Sequence, residues 1–359
     1  MGNITIRNAA PDLSISVTAD MPGSGIPDRY IRAYEQMCLM KSNPRQFLYS
    51  NFRLIMPLMI HCRFADGFRN YVLADLLEKL YRHYEDRESL DTVKLGMKRL
   101  LSHPSADLAA IFFHDPVAMM TQKEWVDYGD FVKKVPELME KYHHAFSVIA
   151  PTEFYYHHGL FYIDKPEILA RISEGIAFDC GSFDGQSIAV MSEYRPKKII
   201  GFEPSEKNIM RCRQNLQNAQ IACEYDIVES CVGNRDGFVP FNDSGDAEAN
   251  IGNAENGGGC RQVPICKLDT FCENNGISGV SWIKADLEGA GLEMVKGAEH
   301  IIRRDHPLLT LGIYHSPQEF FEIPEYLHQW VPEYKMMLRR CQCEPQLPYN
   351  ELTLIAYVP

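Results

Sequence analysis

The residues best suited to chemistry in this 359-residue chain end an apolar run and begin a turn. The run Ile176–Cys180 contains Asp179, and Gly181 and Gly185 follow it four residues apart. An apolar run, a glycine turn and an apolar-periodic segment are typical of a strand, a tight turn and a helix. Glycine permits the close ligand approach that such a turn needs, and the helix directs free N–H groups toward it. The sequence therefore predicts a nucleotide-binding turn.

The spacing of the two glycines disfavours NAD. Dinucleotide-binding turns follow Gly-x-Gly-x-x-Gly, whereas Ser182, Phe183 and Asp184 separate the glycines here. We expect Asp179 to face the ligand pocket, where a carboxylate suits an ammonium better than a phosphate. Glu203 ends the next apolar run, about where doubly wound folds place a carboxylate on a ribose. The two acids together indicate S-adenosylmethionine; the alternative is an ordinary strand–helix turn that Asp179 only caps.

Composition excludes several classes of protein. The net charge of −12 disfavours a broad nucleic-acid surface, because such surfaces depend on clustered lysine and arginine. No run of about 18 apolar residues predicts a membrane span, and the N-terminus lacks a signal-peptide pattern, so we expect a cytoplasmic protein. Eleven cysteines without an export signal predict free thiols, and their spacing matches neither zinc nor iron–sulfur ligands.

The hydrophobic pattern divides the chain near residue 150. Apolar residues recur at helical spacing through much of residues 1–150, with helices predicted to begin at Pro27 and Pro44. From Ile176, strand and helix patterns alternate, which predicts a parallel sheet with helices on both faces within residues 151–359. No long Gly-, Ser- or Pro-rich tract separates the two regions. We therefore expect the helical region to pack beside the sheet as a cap on an acceptor pocket.

Two histidine pairs and an aromatic run precede the turn. Adjacent residues point to different faces of a helix or strand, so neither His143-His144 nor His157-His158 forms a chelate alone. Packing in the core or exposure at the surface is the favoured interpretation, and a place in the substrate pocket is the alternative. The same alternatives apply to the aromatic residues of 154–162, which either bury area or form a substrate wall.

Several short blocks of sequence occur in a recognisable order. They are Phe178–Gly185, Gly201–Pro204, Leu268–Phe271, Ile283–Ala290, Leu292 with Lys296–Ala298, and Ile313–His315. Across roughly residues 150–358, this order resembles the FkbM family of S-adenosylmethionine-dependent methyltransferases. The resemblance implies an α/β fold, the doubly wound, Rossmann-like class I methyltransferase sheet, preceded here by the helical N-terminal region. Two departures are Gly291, where the family usually has a second glutamate, and Ser182, where it often has alanine.

The resemblance also implies a binding site for S-adenosylmethionine. The implied cofactor-binding residues are Asp179, Gly181, Ser182, Asp184, Gly185, Glu203, Ser230 and Cys231. The first five would contact the methionine moiety, Glu203 would accept hydrogen bonds from the ribose, and the last two would lie near the adenine.

Candidate catalytic residues follow two later strands, at the sheet edge where open α/β folds bind ligands. Lys284, Asp286 and Glu288 alternate and would share a face, so Lys284 could keep the carboxylates ionised. Asp286 is the first candidate for a base or acceptor-orienting group, and His315, as a neutral imidazole, is the second. The alternative is a structural ion-pair network. Asp286 and Glu288 could ligate Mg²⁺, but two carboxylates are too few to predict such a site, so we predict no metal.

The expected function is O-methylation of a small-molecule hydroxyl, on a sugar or another secondary metabolite, with neither nucleic acid nor membrane as partner. The alternative is a noncatalytic module that binds S-adenosylmethionine or another protein, suggested by Gly291 and the large helical region. A dehydrogenase is a weaker third hypothesis. The sequence does not determine the oligomeric state.

Overall fold

The computed structural model describes residues 4–7, 14–17, 82–84, 86–101, 121–242, 250–251, 261–344 and 351–359. In the N-terminal region, strands β1 (Ile4–Arg7) and β2 (Ser14–Val17) pair antiparallel, and helices α1 (Arg87–Leu101) and α2 (Gln122–Lys141) follow. The hairpin occupies a stretch whose sequence shows no helical period. The helices predicted to begin at Pro27 and Pro44 lie outside the described residues.

Beyond residue 150, strands and helices alternate. In chain order the elements are α3 (Pro151–Phe154), a 3-10 helix (His157–Tyr162), α4 (Pro166–Ala170), a 3-10 helix (Arg171–Glu174), β3 (Ile176–Cys180), α5 (Gln186–Ser192), β4 (Lys198–Phe202), α6 (Glu206–Ala219), β5 (Tyr225–Val228), β6 (Cys231–Val232), β7 (Gly237–Asn242), β8 (Asn250–Ile251), β9 (Arg261–Cys266), α7 (Leu268–Asn275), β10 (Val280–Ala285), α8 (Gly291–Lys296), α9 (Glu299–Asp305), β11 (Leu308–Gly312), α10 (Pro317–Trp330), β12 (Lys335–Arg340) and β13 (Leu352–Tyr357).

The large sheet has the strand order β12-β13-β11-β10-β3-β4-β5. All its neighbours pair in parallel except β13, which is antiparallel to both β11 and β12. From β3 the chain builds outward through β4 and β5, then returns to add β10 on the other side of β3. The strand order therefore reverses between β3 and β10, the position where open α/β sheets bind ligands. The doubly wound, Rossmann-like fold class is confirmed.

A second, smaller sheet has the strand order β6-β9-β7-β8. Residues 225–232 contribute to both sheets, because β5 joins the large sheet whereas β6 joins the smaller one. The longest described strands of the smaller sheet, β7 and β9, pair antiparallel. The side chains of β9 alternate between buried and exposed positions. That alternation is typical of a sheet with one solvated face, whereas β3, β4 and β10 are buried almost throughout.

Two short helices, α8 and α9, follow β10. Gly297 separates them and packs so closely that a Cβ atom there would lie 2.0 Å from the main-chain oxygen of Gly233. This close approach explains why glycine stands between two short helices rather than within one long helix.

Helices cover both faces of the large sheet. One hydrophobic cluster joins residues of α2, α5 and α6 to one face, and a second joins residues of α1, α7, α8, α9 and α10 to the other. Trp282 of β10 is fully buried, and its Nε1 donates to Thr310 Oγ1 of β11 at 2.9 Å. Burial on both faces makes the sheet a rigid base for the loops at its carboxyl edge.

The described parts of the N-terminal region pack against the β12 edge. The Oγ atom of Ser89 in α1 accepts a hydrogen bond from Leu338 N at 2.9 Å. Arg340 Nη1 lies 2.7 Å from Oε1 of the buried Glu124 in α2. Thr121 and Glu124 also form a capping box that fixes the start of α2. These contacts fix α1 and α2 against β12.

Candidate functional site

The glycine turn between β3 and α5 has the backbone that its sequence predicts. Gly181 and Gly185 have φ values of +87° and +91°, a region that disfavours residues with a Cβ atom. A Cβ atom at Gly181 would lie 2.3 Å from the main-chain oxygen of Asp286. Asp286 N in turn donates to Cys180 O at 3.1 Å. The turn after β3 and the loop after β10 therefore touch directly at the switch point.

Asp179, expected to face the ligand pocket, is held by internal contacts. Its carboxylate is fully buried, where Oδ2 accepts a hydrogen bond from Ser187 Oγ at 2.6 Å. Oδ1 lies 3.1 Å from Lys284 Nζ, and that ammonium also donates to Gly181 O at 3.0 Å. Burial alone would lower the pKa of Lys284, but the charges of Asp179 and Asp286 outweigh it and raise the pKa above its ordinary value. The pair thus ties β10 to the glycine turn.

Ser182 and Asp184 are also held by internal contacts. Ser182 is buried and its Oγ donates to Asp179 O at 3.1 Å. The serine fits because residue 201 is glycine, where a Cβ atom would lie 2.4 Å from that Oγ. Asp184 accepts hydrogen bonds from N and Nε2 of Gln186, at 3.3 and 3.0 Å. Burial raises the pKa of Asp184 despite these bonds.

Glu203 lies beside the turn, at the end of β4, and is 5% exposed. Its Oε2 accepts from Phe183 N at 3.0 Å, and its Oε1 accepts from Ser205 N at 2.9 Å and from Asn208 Nδ2 at 3.3 Å. Burial nevertheless raises the pKa of this carboxyl. A carboxylate offers about four acceptor positions, so these three bonds leave one on Oε2 for a ligand hydroxyl.

Ser230 and Cys231 follow β5, next to β4 in the sheet. Both are buried, and Ser230 Oγ donates to Cys231 O at 2.7 Å. Burial, followed by the charge of Glu203, raises the pKa of the Cys231 thiol to about 12. The structure thus brings the residues expected near the adenine within electrostatic range of the one expected at the ribose.

A polar cluster follows β10 and β11. The Tyr314 hydroxyl lies 3.3 and 3.2 Å from Oδ1 and Oδ2 of Asp286, and 3.1 Å from Glu351 Oε1. Burial, followed by the charges of Asp286 and Glu153, raises the pKa of Glu351 well above its ordinary value. A protonated Glu351 can donate a hydrogen bond to the Tyr314 hydroxyl oxygen. The Tyr314 hydroxyl then donates its own hydrogen bond to Asp286. These three residues therefore form a chain of hydrogen bonds at the strand ends.

His315 is surrounded by carboxylates. Nε2 lies 3.3 Å from Asp286 Oδ1 and 3.7 Å from Glu288 Oε2, and Nδ1 lies 3.5 Å from Glu319 Oε2. Burial alone would lower the pKa of this imidazole, but the bond with Glu319 and the charges of Asp286 and Glu288 raise it to about 9. At neutral pH the ring is therefore an imidazolium. This corrects the expectation of a neutral imidazole ready to take up a proton.

A glutamate from α10 fills the space above Gly291. The Glu319 side chain is fully buried, and its Oε1 accepts a hydrogen bond from Gly291 N at 2.8 Å. A Cβ atom at Gly291 would lie 2.8 Å from the same oxygen, so a larger residue there would displace this carboxylate. The site thus retains a buried carboxylate close to the position where the family resemblance suggested that one was lost.

Three carboxylates of this site were not predicted from the sequence: Glu153, Glu319 and Glu351. Glu319 lies four residues after His315, and this spacing across a helix start was a usable signal. Tyr314 lay inside a block that carried the resemblance but was given no role. No pattern in the neighbouring sequence identifies Glu153 or Glu351 as site residues, because the fold brings them to the site from distant segments. Among the described residues, no group of three or more His, Cys, Asp or Glu side chains is arranged to hold a metal ion.

Comparisons with known proteins agree with this geometry. Residues 179–337 match the model of the methyltransferase FkbM domain. The chain is 25% identical over 162 residues to the 2-O-methyltransferase NoeI of Sinorhizobium fredii (strain NBRC 101917 / NGR234), covering 41% of this chain and 65% of that protein. The crystal structure of methyltransferase FkbM from Methylobacillus flagellatus KT has a TM-score of 0.50 at 17% identity, covering 82% of this chain and 60% of that one. The chain thus spans about two thirds or less of each relative.

The match begins at Asp179 and contains the glycine turn, Glu203 and the loop after β10. Its extent therefore coincides with the part of the fold that forms the switch point. The likeness to the solved structure concerns the fold alone. Residues 179–337 therefore carry the methyltransferase FkbM domain.

Proposed function

We propose that this protein transfers the methyl group of S-adenosylmethionine to a hydroxyl of a small molecule, a sugar or another secondary metabolite. The observation that carries the proposal is the direct contact between the glycine turn and Asp286, at the Cβ position of Gly181. It supports placing the cofactor turn and the polar cluster around Asp286 side by side. The net charge of −12 supports a small-molecule acceptor rather than a nucleic acid.

The residues of the turn fit the cofactor. A side chain at Gly181 would collide with the main chain of Asp286, so glycine is required there. Glu203 keeps one acceptor position for a ribose hydroxyl. We propose that Glu203 binds the ribose and that Ser230 and Cys231 line the adenine site. Asp179 contributes through the turn, because its buried pair with Lys284 fixes Gly181 O. When bound, S-adenosylmethionine supplies an electrophilic methyl group on a positively charged sulfur.

The acceptor belongs beside Asp286 in this proposal. Methyl transfer is an in-line displacement, so the protein must mainly align the acceptor oxygen and accept its proton. Asp286 is partly exposed, and Tyr314 and His315 fix the position of its carboxylate. It can therefore accept a hydrogen bond from the acceptor hydroxyl without moving. Glu288 and the imidazolium of His315 set the local charge. The name of the curated relative, a 2-O-methyltransferase, supports oxygen as the acceptor atom.

The location of the protein is part of the same proposal. Among the described residues, no helix combines the length and apolarity needed to cross a bilayer. The cysteines of that part of the chain are free thiols, which fits a reducing compartment. We propose on this basis that the enzyme acts in the cytoplasm.

A noncatalytic binding module remains the second candidate function. The substitution at Gly291 motivated it, but Glu319 places a buried carboxylate against Gly291 N. Incubation with tritiated S-adenosylmethionine and a panel of methyl glycosides separates the two candidates. An enzyme labels a glycoside, whereas a binding module retains S-adenosylmethionine and labels nothing.

A further inference from the structure

The segment of residues 150–163, which precedes the first strand of the large sheet, is anchored to the core on two sides. Thr152 Oγ1 donates to Cys341 O at 2.8 Å, next to β12. Ala150 N donates at 3.2 Å to Oε1 of Gln186, the first residue of α5. Gly159 lies so close to β13 that a Cβ atom there would be 2.7 Å from the Ile355 side chain. The position of this segment is therefore fixed relative to the strand ends.

Two polar atoms of this segment are buried without a hydrogen-bond partner among the described residues, Glu153 Oε2 and His158 Nε2. Both side chains lie within electrostatic range of Lys284. His158 is 4% exposed and has a φ of +53°, a strained conformation that usually persists only where the surroundings enforce it. Leaving a buried polar atom unpaired costs free energy. Two such atoms near one lysine indicate a ligand site rather than packing.

Four ionisable side chains act on the Glu153 carboxyl: Lys284, Asp184, Asp286 and Glu351. Burial raises the pKa of its carboxyl and Lys284 lowers it, while Asp184 and Asp286 raise it again, so that the pKa is about 7. Glu351 is a fourth ionisable neighbour. A carboxylate with this pKa is matched to proton transfer near neutral pH. Asp286, in contrast, is already engaged, because its carboxylate accepts from the Tyr314 hydroxyl and lies 3.3 Å from His315 Nε2.

We propose that Glu153 takes the proton from the acceptor hydroxyl, and that Asp286 orients this hydroxyl. This assignment rests on the proposed function. As the acceptor oxygen bonds to the methyl carbon, the carbon–sulfur bond breaks and sulfur keeps its electron pair. The hydroxyl proton passes to Oε2 of Glu153 and is later lost to solvent. Glu153 accepts it without giving up a contact, whereas Asp286 would have to release Tyr314 or His315.

The test compares Glu153→Gln with Glu167→Gln in the full-length protein. Both residues lie in the first turn of a short helix, α3 or α4, but Glu167 is exposed. Infrared difference spectra of the wild type against each variant, recorded through a pH titration with S-adenosylhomocysteine bound, isolate the carboxyl that each variant lacks. Tritium transfer from labelled S-adenosylmethionine to methyl glycosides gives the rate, and calorimetry gives the affinity for S-adenosylhomocysteine.

In the titration we expect the Glu153 carboxyl to ionise near pH 7. We also expect Glu153→Gln to keep the wild-type affinity for S-adenosylhomocysteine while methyl transfer falls by roughly 10² to 10⁴. Glu167→Gln should change neither quantity. Ionisation of Glu153 near the ordinary value of 4.5, or a folded Glu153→Gln protein with near-normal transfer, would overturn the assignment. If the wild type labels no glycoside, the proposed acceptor class fails, and the titration still decides the state of Glu153.

Discussion

Replacement of Lys284 by methionine tests whether the buried pair with Asp179 holds the site together. The substitution nearly preserves side-chain volume but leaves the fully buried Asp179 carboxylate without its cation, with Ser187 Oγ as the remaining side-chain partner among the described residues. Removing one member of a buried ion pair costs about 3 to 5 kcal/mol, because the remaining charge is uncompensated. The bond from Lys284 to Gly181 O, worth about 1.5 to 3 kcal/mol as a charged hydrogen bond, is part of that loss.

Urea unfolding followed by tryptophan fluorescence measures this free energy of unfolding. Lys198→Met, on β4 two strands away, is the matched control, because among the described residues Lys198 pairs with the exposed carboxylates Glu224 and Asp226. Such a surface pair contributes about 0 to 1 kcal/mol. Adding Asp179→Asn to Lys284→Met should recover part of the loss, since the double variant lacks both charges of the pair. A loss below about 1 kcal/mol for Lys284→Met would refute the structural role of the pair.

Three further predictions concern the ligands and pH. Glu203→Ala should weaken S-adenosylhomocysteine binding by roughly one to two orders of magnitude in calorimetry, as expected for the loss of a charged hydrogen bond. Unchanged affinity would show that Glu203 does not bind the ribose. Asp286→Asn should keep this affinity while slowing single-turnover methyl transfer per folded molecule by about 10², the cost of a misplaced acceptor; near-normal turnover would contradict its role. The pKa of His315 is raised from 6.5 to about 9, so its contribution to stability is complete below pH 6.5 and is lost as the pH rises through 9. The loss in the free energy of unfolding should be at most about 3 kcal/mol. His315→Gln should reduce the change of this free energy with pH, measured by urea unfolding between pH 6 and about 9.5.

Local patterns in the sequence were enough to predict the main elements of the sheet and the ends of its strands. An apolar run followed by Asp179 and Gly181, and another ending at Glu203, depend on residues close together in the chain. Parallel strands carry their carboxyl ends to the same edge, so Asp286 and His315 could be expected there as well. Lys284 was expected to act on Asp286 and Glu288, whereas the structure pairs its ammonium with Asp179.

The direction of side chains and the contributions of distant segments could not be predicted. Whether Asp179 faces a ligand or the core depends on the register of β3 against β10, which pairs it with Lys284. Glu153, from the segment before the sheet, and Glu351, before its last strand, reach the site only after the chain has folded. The protonation of His315 depends on the same tertiary contacts, since Glu319 and Asp286 come from different elements. Long-range packing of this kind has no local signature.

The most direct test of the account is the fate of the methyl group when the protein is incubated with tritiated S-adenosylmethionine and a panel of methyl glycosides. The account predicts label in a glycoside, at an ether that survives mild alkaline hydrolysis, because a hydroxyl oxygen receives the methyl group. Label released by mild alkali would indicate a carboxylate acceptor and contradict methylation of a hydroxyl. Binding of S-adenosylhomocysteine without any labelled product would instead contradict methylation of a sugar and favour the noncatalytic module.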